Sequence, residues 1–378
     1  MRTTPAPLGP DTASDGRDDV LDLVRAGSLA VVVIWHWVFT TVRWAPDGPH
    51  VGNPIGDVGG LWLLTWVAQV MPLFFIVGGA LHAIDDRPAL RFWIHRLRRL
   101  VPPALPLLGG AATVALLARA LDRPDVARGV VLLISPLWFL AVYLVLVALT
   151  PPARWLHRRF GWGALVVGAV TALVVDRARI AGTLEGGWVP HAQFVLMWAV
   201  VHQLGFHLWS LRAAPVRTRA LVCGAGFAAL AGGVLWGGYP ASMVGVPRDA
   251  TSNMSPPTVM VLFLGVAQLG LLTLVDDRLR DIGGRHRRAL GAARTWSMTV
   301  YVWHMLAFVA FWAFLVLAGS SVGHRVDAGW WAVRPLWFVG PLAIAVPLCA
   351  LVGRRPGPAG RAPRMEPVAP VRDPERAR

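Results

Sequence analysis

The sequence contains no lysine, and only 15% of its 378 residues are charged. Soluble domains carry charge on about a quarter of their residues. Too little polar surface is available to cover a soluble core, and a water-soluble enzyme is excluded. Cysteine is scarce as well. Cys223 and Cys349 sit far apart inside apolar runs, so neither a disulfide framework nor a thiol-rich metal site is expected. With lysine missing, all 36 basic residues are arginine, and against 21 acids they leave a formal charge of +15. These arginines punctuate hydrophobic segments and no nucleic-acid module is visible. The basic excess therefore reads as orientation in a lipid bilayer rather than as nucleic-acid binding.

What is present is apolar: 55% of residues are hydrophobic and the mean hydropathy is +0.54. A polar stretch opens the chain, and the run from about Leu23 to Val42 is too long for a signal peptide, so it reads as a retained span. Further runs follow at roughly 61–84, 101–121, 130–150, 161–175, 191–210, 219–238, 257–275, 295–319 and 331–353. The expected fold is all-α, a polytopic membrane helix bundle of about ten transmembrane helices. Ten being even, both termini share a side. Of the 36 arginines, 27 fall in segments 1–25, 85–100, 151–160, 211–219, 276–294 and 354–378, which places those segments and both termini in the cytoplasm. Loops 44–60 and 239–256 then face outward. The expected organisation is a disordered cytoplasmic N-terminus over 1–22, a membrane domain over 23–353 and a disordered basic cytoplasmic tail over 354–378, near anionic lipid.

Ionisable residues inside a span are candidate sites, because a polar group in a bilayer is costly. In the first span Arg25 stands at the cytoplasmic edge and His36 lies 11 residues on. Helical geometry puts His36 roughly 16 Å deeper and about 20° away in azimuth, so both line one face. As a pair they are also consistent with a topological anchor and a packing histidine. In RFWIHRLRRLVPP, Arg91, His95, Arg96, Arg98 and Arg99 crowd the expected cytoplasmic start of the third span, with Arg96 and Arg99 on one face. Such guanidiniums suit a polyphosphate ligand or, equally, lipid headgroups. In TWSMTVYVWHML, Tyr301 and His304 stand three apart, at a depth that lets His304 meet His36 in one layer. His202, Gln203, His207, Gln69, Tyr143 and Gln268 are candidate interhelical hydrogen-bonding groups. Glu185, Trp188, His191 and the 252–257 stretch sit where an outward acceptor site or ordinary turns would place them.

In this order along the chain, Arg25 and His36, Phe74-Phe75 with Gly79, Arg96 and Arg99 with Pro102, Leu137-Trp138-Phe139-Leu140 and Tyr301-Val302-Trp303-His304 resemble the acyltransferase-3 family of integral membrane O-acyltransferases. Two departures stand out: FFIVGGALHA, where many relatives carry Ser-Gly, and Trp296 before Ser297. The resemblance implies an enzyme of the cell membrane, an acyltransferase transferring groups other than amino-acyl groups, that takes an acyl group, acetyl as a rule, from acyl-CoA. The acceptor implied is a hydroxyl of a saccharide, glycolipid or related molecule, as in O-acetylation of the cell envelope. His36 is then the expected general base, Tyr301 or His304 the oxyanion donor, and Arg25, Arg96 and Arg99 the clamp on the CoA phosphates, with no metal. A multi-span transporter or flippase without acyl transfer activity is the alternative. It is disfavoured at this point because interrupted helices are not evident in the sequence. A scaffold that kept the fold and lost catalysis is disfavoured by the joint presence of Arg25, His36, Arg96 and Arg99.

Overall fold

The computed structural model describes residues 18–45, 48–184, 186–247, 249, 251–320 and 325–353. Sixteen α-helices follow one another: α1 (Asp19–Val38), α2 (Trp62–Ala68), α3 (Met71–Ala83), α4 (Ala89–Leu100), α5 (Leu105–Ala120), α6 (Pro124–Ile134), α7 (Leu137–Phe160), α8 (Trp162–Ile180), α9 (Val189–Gly205), α10 (Leu208–Arg212), α11 (Val216–Leu235), α12 (Val259–Leu274), α13 (Asp276–Arg285), α14 (Arg287–Leu317), α15 (Ala328–Ala332) and α16 (Arg334–Val352). One antiparallel hairpin, Thr41–Ala45 with Gly48–Gly52, follows α1. Of the termini read as disordered, 1–17 and 354–378 lie outside the described residues, as does Glu185, whereas Asp19–Asp22 form the first turn of α1.

Each apolar run expected to span carries a helix, and the protein is an all-α membrane bundle. Among the described residues, six helical segments can cross a membrane by length and composition, and up to eight if each bent pair counts as one span. The expected ten exceeds that number for two visible reasons. α8 carries Asp176, Arg177 and Arg179 in its last turns, and α9 is 17 residues long. The arginine-rich block is not continuous with the helix that follows it. It forms the separate helix α4, bent by 58° from α5, and the break falls at Pro102 and Pro103, where a ring without N–H cannot continue a helical ladder. α12 and α13 bend by 66° at Val275, with no proline at the junction. Interrupted helices are thus present, and the expectation that they were missing does not hold.

A third break, between α2 and α3, shows how a bilayer-embedded chain tolerates irregular backbone. Gln69 leaves the helix, its side-chain oxygen accepts from the Met71 amide at 3.2 Å, and its amide donates to the Met243 carbonyl at 3.0 Å. Gln268 donates to the freed Gln69 carbonyl at 2.8 Å. Both glutamines are therefore the interhelical bonding groups expected of them.

The centre of the bundle is α3, α9 and α12, whose side chains Phe75, Ile76, Met197, Trp198, Leu264 and Leu269 are fully enclosed. Small residues bring the backbones together. A Cβ on Gly79 would stand 2.0 Å from the His202 carbonyl oxygen, and one on Gly205 at the same distance from that of Ile76. A second cluster joins α1, α14 and α16 through Trp37, Met305, Phe308 and Trp337. The first turn of α1 is laced to the other helices by ion pairs. Asp18 pairs with Arg212, Asp19 with Arg287 at 2.8 Å and Asp22 with Arg294 at 2.9 Å. At its far end Arg334 of α16 donates to the Val38 and Thr40 carbonyls and stacks 3.7 Å over Trp330. The helix that bears Arg25 and His36 is fixed at both ends.

Candidate functional site

A cavity of about 310 Å³ runs between α1, the α2–α3 break, α4, α7 and α14. At one end Asp22, Arg25, Arg96, Arg99 and Arg294 line it. His36, Phe139, Leu140 and Tyr301 line its middle, and Gln69, Val244, Gly245 and Met254 its opposite end. Residues from four separate sequence blocks thus share one chamber, with His304 the one expected site residue that does not line it.

His304 lies behind His36. Its Nδ1 is 2.7 Å from the Tyr301 carbonyl oxygen, and its Nε2 is 3.1 Å from His36 Nδ1. A carbonyl only accepts, so His304 Nδ1 carries the hydrogen and, in the neutral ring, Nε2 carries a lone pair. His36 Nδ1 donates to that lone pair, and His36 Nε2 is left with its own lone pair as the ring faces the cavity. Neutral rings are the form suited to this apolar enclosure, where an unpaired imidazolium is costly. Position along α14 thus determines tautomer, and tautomer determines which His36 nitrogen can take a proton.

Tyr301 occupies a different role from the one expected. Its hydroxyl donates to the Pro136 carbonyl at 2.6 Å and accepts from the Leu140 amide at 3.3 Å. It bridges the first turn of α7, where Pro136 and Leu140 would otherwise pair with each other. Its only hydroxyl hydrogen is engaged, so in this arrangement Tyr301 is not a ready oxyanion donor. His304 is not one either, since it is screened from the cavity by His36.

The arginines differ among themselves. Arg96 pairs with Asp85 at 3.3 Å, while its buried Nε has no partner. Arg25 lies 3.8 Å from Asp22, a loose pair. Arg99 has no hydrogen bond or ion pair among the described residues, and its closest charged neighbours include Arg25 and Arg96. Three like charges converge on one end of a cavity with spare donors, an arrangement that favours a polyanionic ligand. Arg91, His95 and Arg98, from the same block, are not part of the lining.

The weaker candidates separate clearly. Gln69, Tyr143 and Met254 line the cavity. His207 stacks on Trp162 at 3.6 Å beside His157, away from the chamber. Gln203 lies in α9 and, like Trp188, His191 and Gln268, is not part of the lining. Asn253 is spent on the Pro240 and Ser242 carbonyls and on Thr258. One residue was missed: His82, fully buried on α3, which bonds Tyr143 and His202. The signal for it was available, since it is an ionisable residue inside a span.

The fold and cavity define a polytopic helical membrane protein with a buried histidine and an arginine-lined end. The family model described as "Acyltransferase domain" (Acyl_transf_3) matches residues 18–354, nearly the whole chain. The chain belongs to that family, and it is a membrane acyltransferase. No curated protein and no solved structure matches it.

Proposed function

We propose that the protein is an integral O-acyltransferase of the cell membrane that moves an acyl group, acetyl foremost, from acyl-CoA to a hydroxyl of a saccharide, glycolipid or related acceptor. The observation that carries this reading is the shared cavity: Arg25, Arg96 and Arg99 at one end and His36 within it. A thioester is already activated, so the site needs a base, a clamp and alignment. The spare donors of Arg96 and Arg99 suit CoA phosphates, which would compete with Asp85 for Arg96. His36 Nε2 takes the proton of the acceptor hydroxyl as its oxygen attacks the thioester carbon. When the tetrahedral intermediate collapses, the carbon–sulfur bond breaks and His36 returns that proton to the leaving sulfur. His304 holds His36 in the tautomer with Nε2 free, and the imidazolium formed in passing keeps its Nδ1–H on His304.

The acceptor enters, in this reading, from the end formed by Gln69, Val244, Gly245 and Met254. Given the arginine distribution, that end faces outward and both termini are cytoplasmic. A transporter would also use broken helices, but membership of an acyltransferase family weighs against it. The test is release of free CoA thiol from acetyl-CoA by purified protein supplied with lipid-linked and soluble saccharides. Acceptor-dependent release that vanishes in His36→Gln is the expected result. Absence of release across a broad acceptor panel, with transport of the same saccharides by reconstituted vesicles, would overturn the reading.

A further inference from the structure

Tyr143 lines the same cavity as the arginines and His36, and its hydroxyl meets a buried network. His82 Nε2 lies 3.2 Å from the Tyr143 hydroxyl. On the other side of the ring, His82 Nδ1 faces His202 Nε2 at 3.0 Å and the Thr150 hydroxyl oxygen at 3.2 Å. Thr150 donates its only hydroxyl hydrogen to the Leu146 carbonyl at 2.8 Å, which leaves it able only to accept at Nδ1. Placing the ring hydrogen on Nδ1, where His202 Nε2 and the Thr150 oxygen can accept it, leaves Nε2 of the neutral ring with a lone pair. Tyr143 donates into that lone pair and turns its remaining oxygen lone pairs to the chamber.

Resting on the acyl-CoA reading above, we infer that Tyr143 is a donor-positioning residue that accepts a hydrogen bond from an amide N–H of the pantetheine arm, held in that polarity by His82, His202 and Thr150. The chemistry selects this partner. Carbonyls, phosphates and thioester oxygens only accept and find nothing on a phenol whose hydrogen is spent. The arm supplies amide donors in the stretch between phosphates held by the arginines and a thioester at His36. Arg99 has Tyr143 within its electrostatic reach, which puts the phenol next to the phosphate end. Gly78 belongs to the same device. It lines the cavity, and a Cβ there would stand 3.0 Å from Cε2 of the Tyr143 ring. The missing side chain at Gly78 lets that ring lie against α3.

The experiment compares binding of acetyl-CoA with binding of adenosine 3′,5′-bisphosphate, which has phosphates and no arm, to the purified full chain. Tyr143→Phe keeps the ring and removes the acceptor. It should weaken acetyl-CoA binding about threefold to tenfold, the range for one neutral hydrogen bond, and leave the bisphosphate unchanged. Gly78→Ala, whose Cβ would stand 3.0 Å from the ring and 3.5 Å from the hydroxyl, displaces the side chain while keeping the hydroxyl present and should produce the same selective loss. Arg99→Ala should weaken both ligands. Unaltered acetyl-CoA binding in Tyr143→Phe, or equal loss for both ligands, would overturn the inference and leave the acyl-CoA reading standing. Failure of the wild-type protein to bind either ligand would sink that reading as well.

Discussion

His304 Nε2 lies 3.1 Å from His36 Nδ1, and of the two rings only His36 opens on the cavity. The pair is asymmetric: one histidine is placed for proton transfer and the other sets its tautomer. His36→Ala and His36→Gln should both fold and both lower turnover by about two to four orders of magnitude, since an amide bonds like imidazole but takes no proton at neutral pH. His304→Ala should be milder, about tenfold, because it removes one orienting hydrogen bond. Turnover per folded molecule, with folding followed by thermal unfolding, checks both. A His36→Gln variant with near wild-type turnover would place the base elsewhere.

The arginines should not contribute equally. Arg99 has no partner to give up, whereas Arg96 must leave Asp85 to meet a ligand. Arg99→Ala should therefore weaken acetyl-CoA binding more than Arg96→Ala, by about tenfold to a hundredfold, the worth of charge-assisted bonds. Lysine at either position should restore it only in part, since a point charge lacks the fork of a guanidinium. Titration of acetyl-CoA against purified variants measures this. Unchanged affinity in the double Arg96→Ala, Arg99→Ala variant would reduce these arginines to an orienting role.

How much of this was legible depended on the kind of signal. His36 with Arg25 was readable because helical periodicity alone puts both on one face of a single continuous helix. The meeting of His36 and His304 was anticipated from depth along two helices, and Gln69 and Gln268 from the expense of polar groups in a bilayer. The Tyr301 hydroxyl was misjudged because its partners, Pro136 and Leu140, lie 165 and 161 residues away and belong to a backbone turn that no side-chain pattern marks. The bend between α4 and α5 was missed because an apolar run and an adjacent basic run look like one span with a charged foot. The Pro102-Pro103 pair at the junction carried the information. Arg334 was counted as a charge in the sequence, although its task is to hold the backbone at the end of α1.

Close packing of α3 on α9 should be intolerant of even one methyl group. Gly79→Ala would set a Cβ 2.0 Å from a backbone oxygen, an obstacle that no rotamer change relieves. About 3 kcal/mol or more of destabilisation, or loss of folded yield, is expected. Gly109→Ala, at a helical site with nothing within 4 Å, should be neutral or slightly stabilising by helix propensity. Detergent-solubilised melting temperatures compare them, and equal behaviour of the two variants would refute the packing argument.

The orientation can be tested apart from the chemistry. The proposed orientation, taken from the arginine distribution, has both termini in the cytoplasm and the hairpin after α1 and the 239–256 segment outside. Val51 lies in that hairpin and is 46% exposed, and Asp249 sits in the second segment. With Cys223 and Cys349 replaced by Ser, a cysteine at Val51 or Asp249 should react with a membrane-impermeant maleimide in intact cells. A cysteine at Arg278 on α13 should react only after permeabilisation. The opposite pattern would invert the protein, and with it the side from which each substrate approaches, because Arg96 and Arg99 line one end of the chamber and Val244 and Met254 the other. Agreement at Arg278 but protection at both outer positions would instead mean that the spans between them are miscounted.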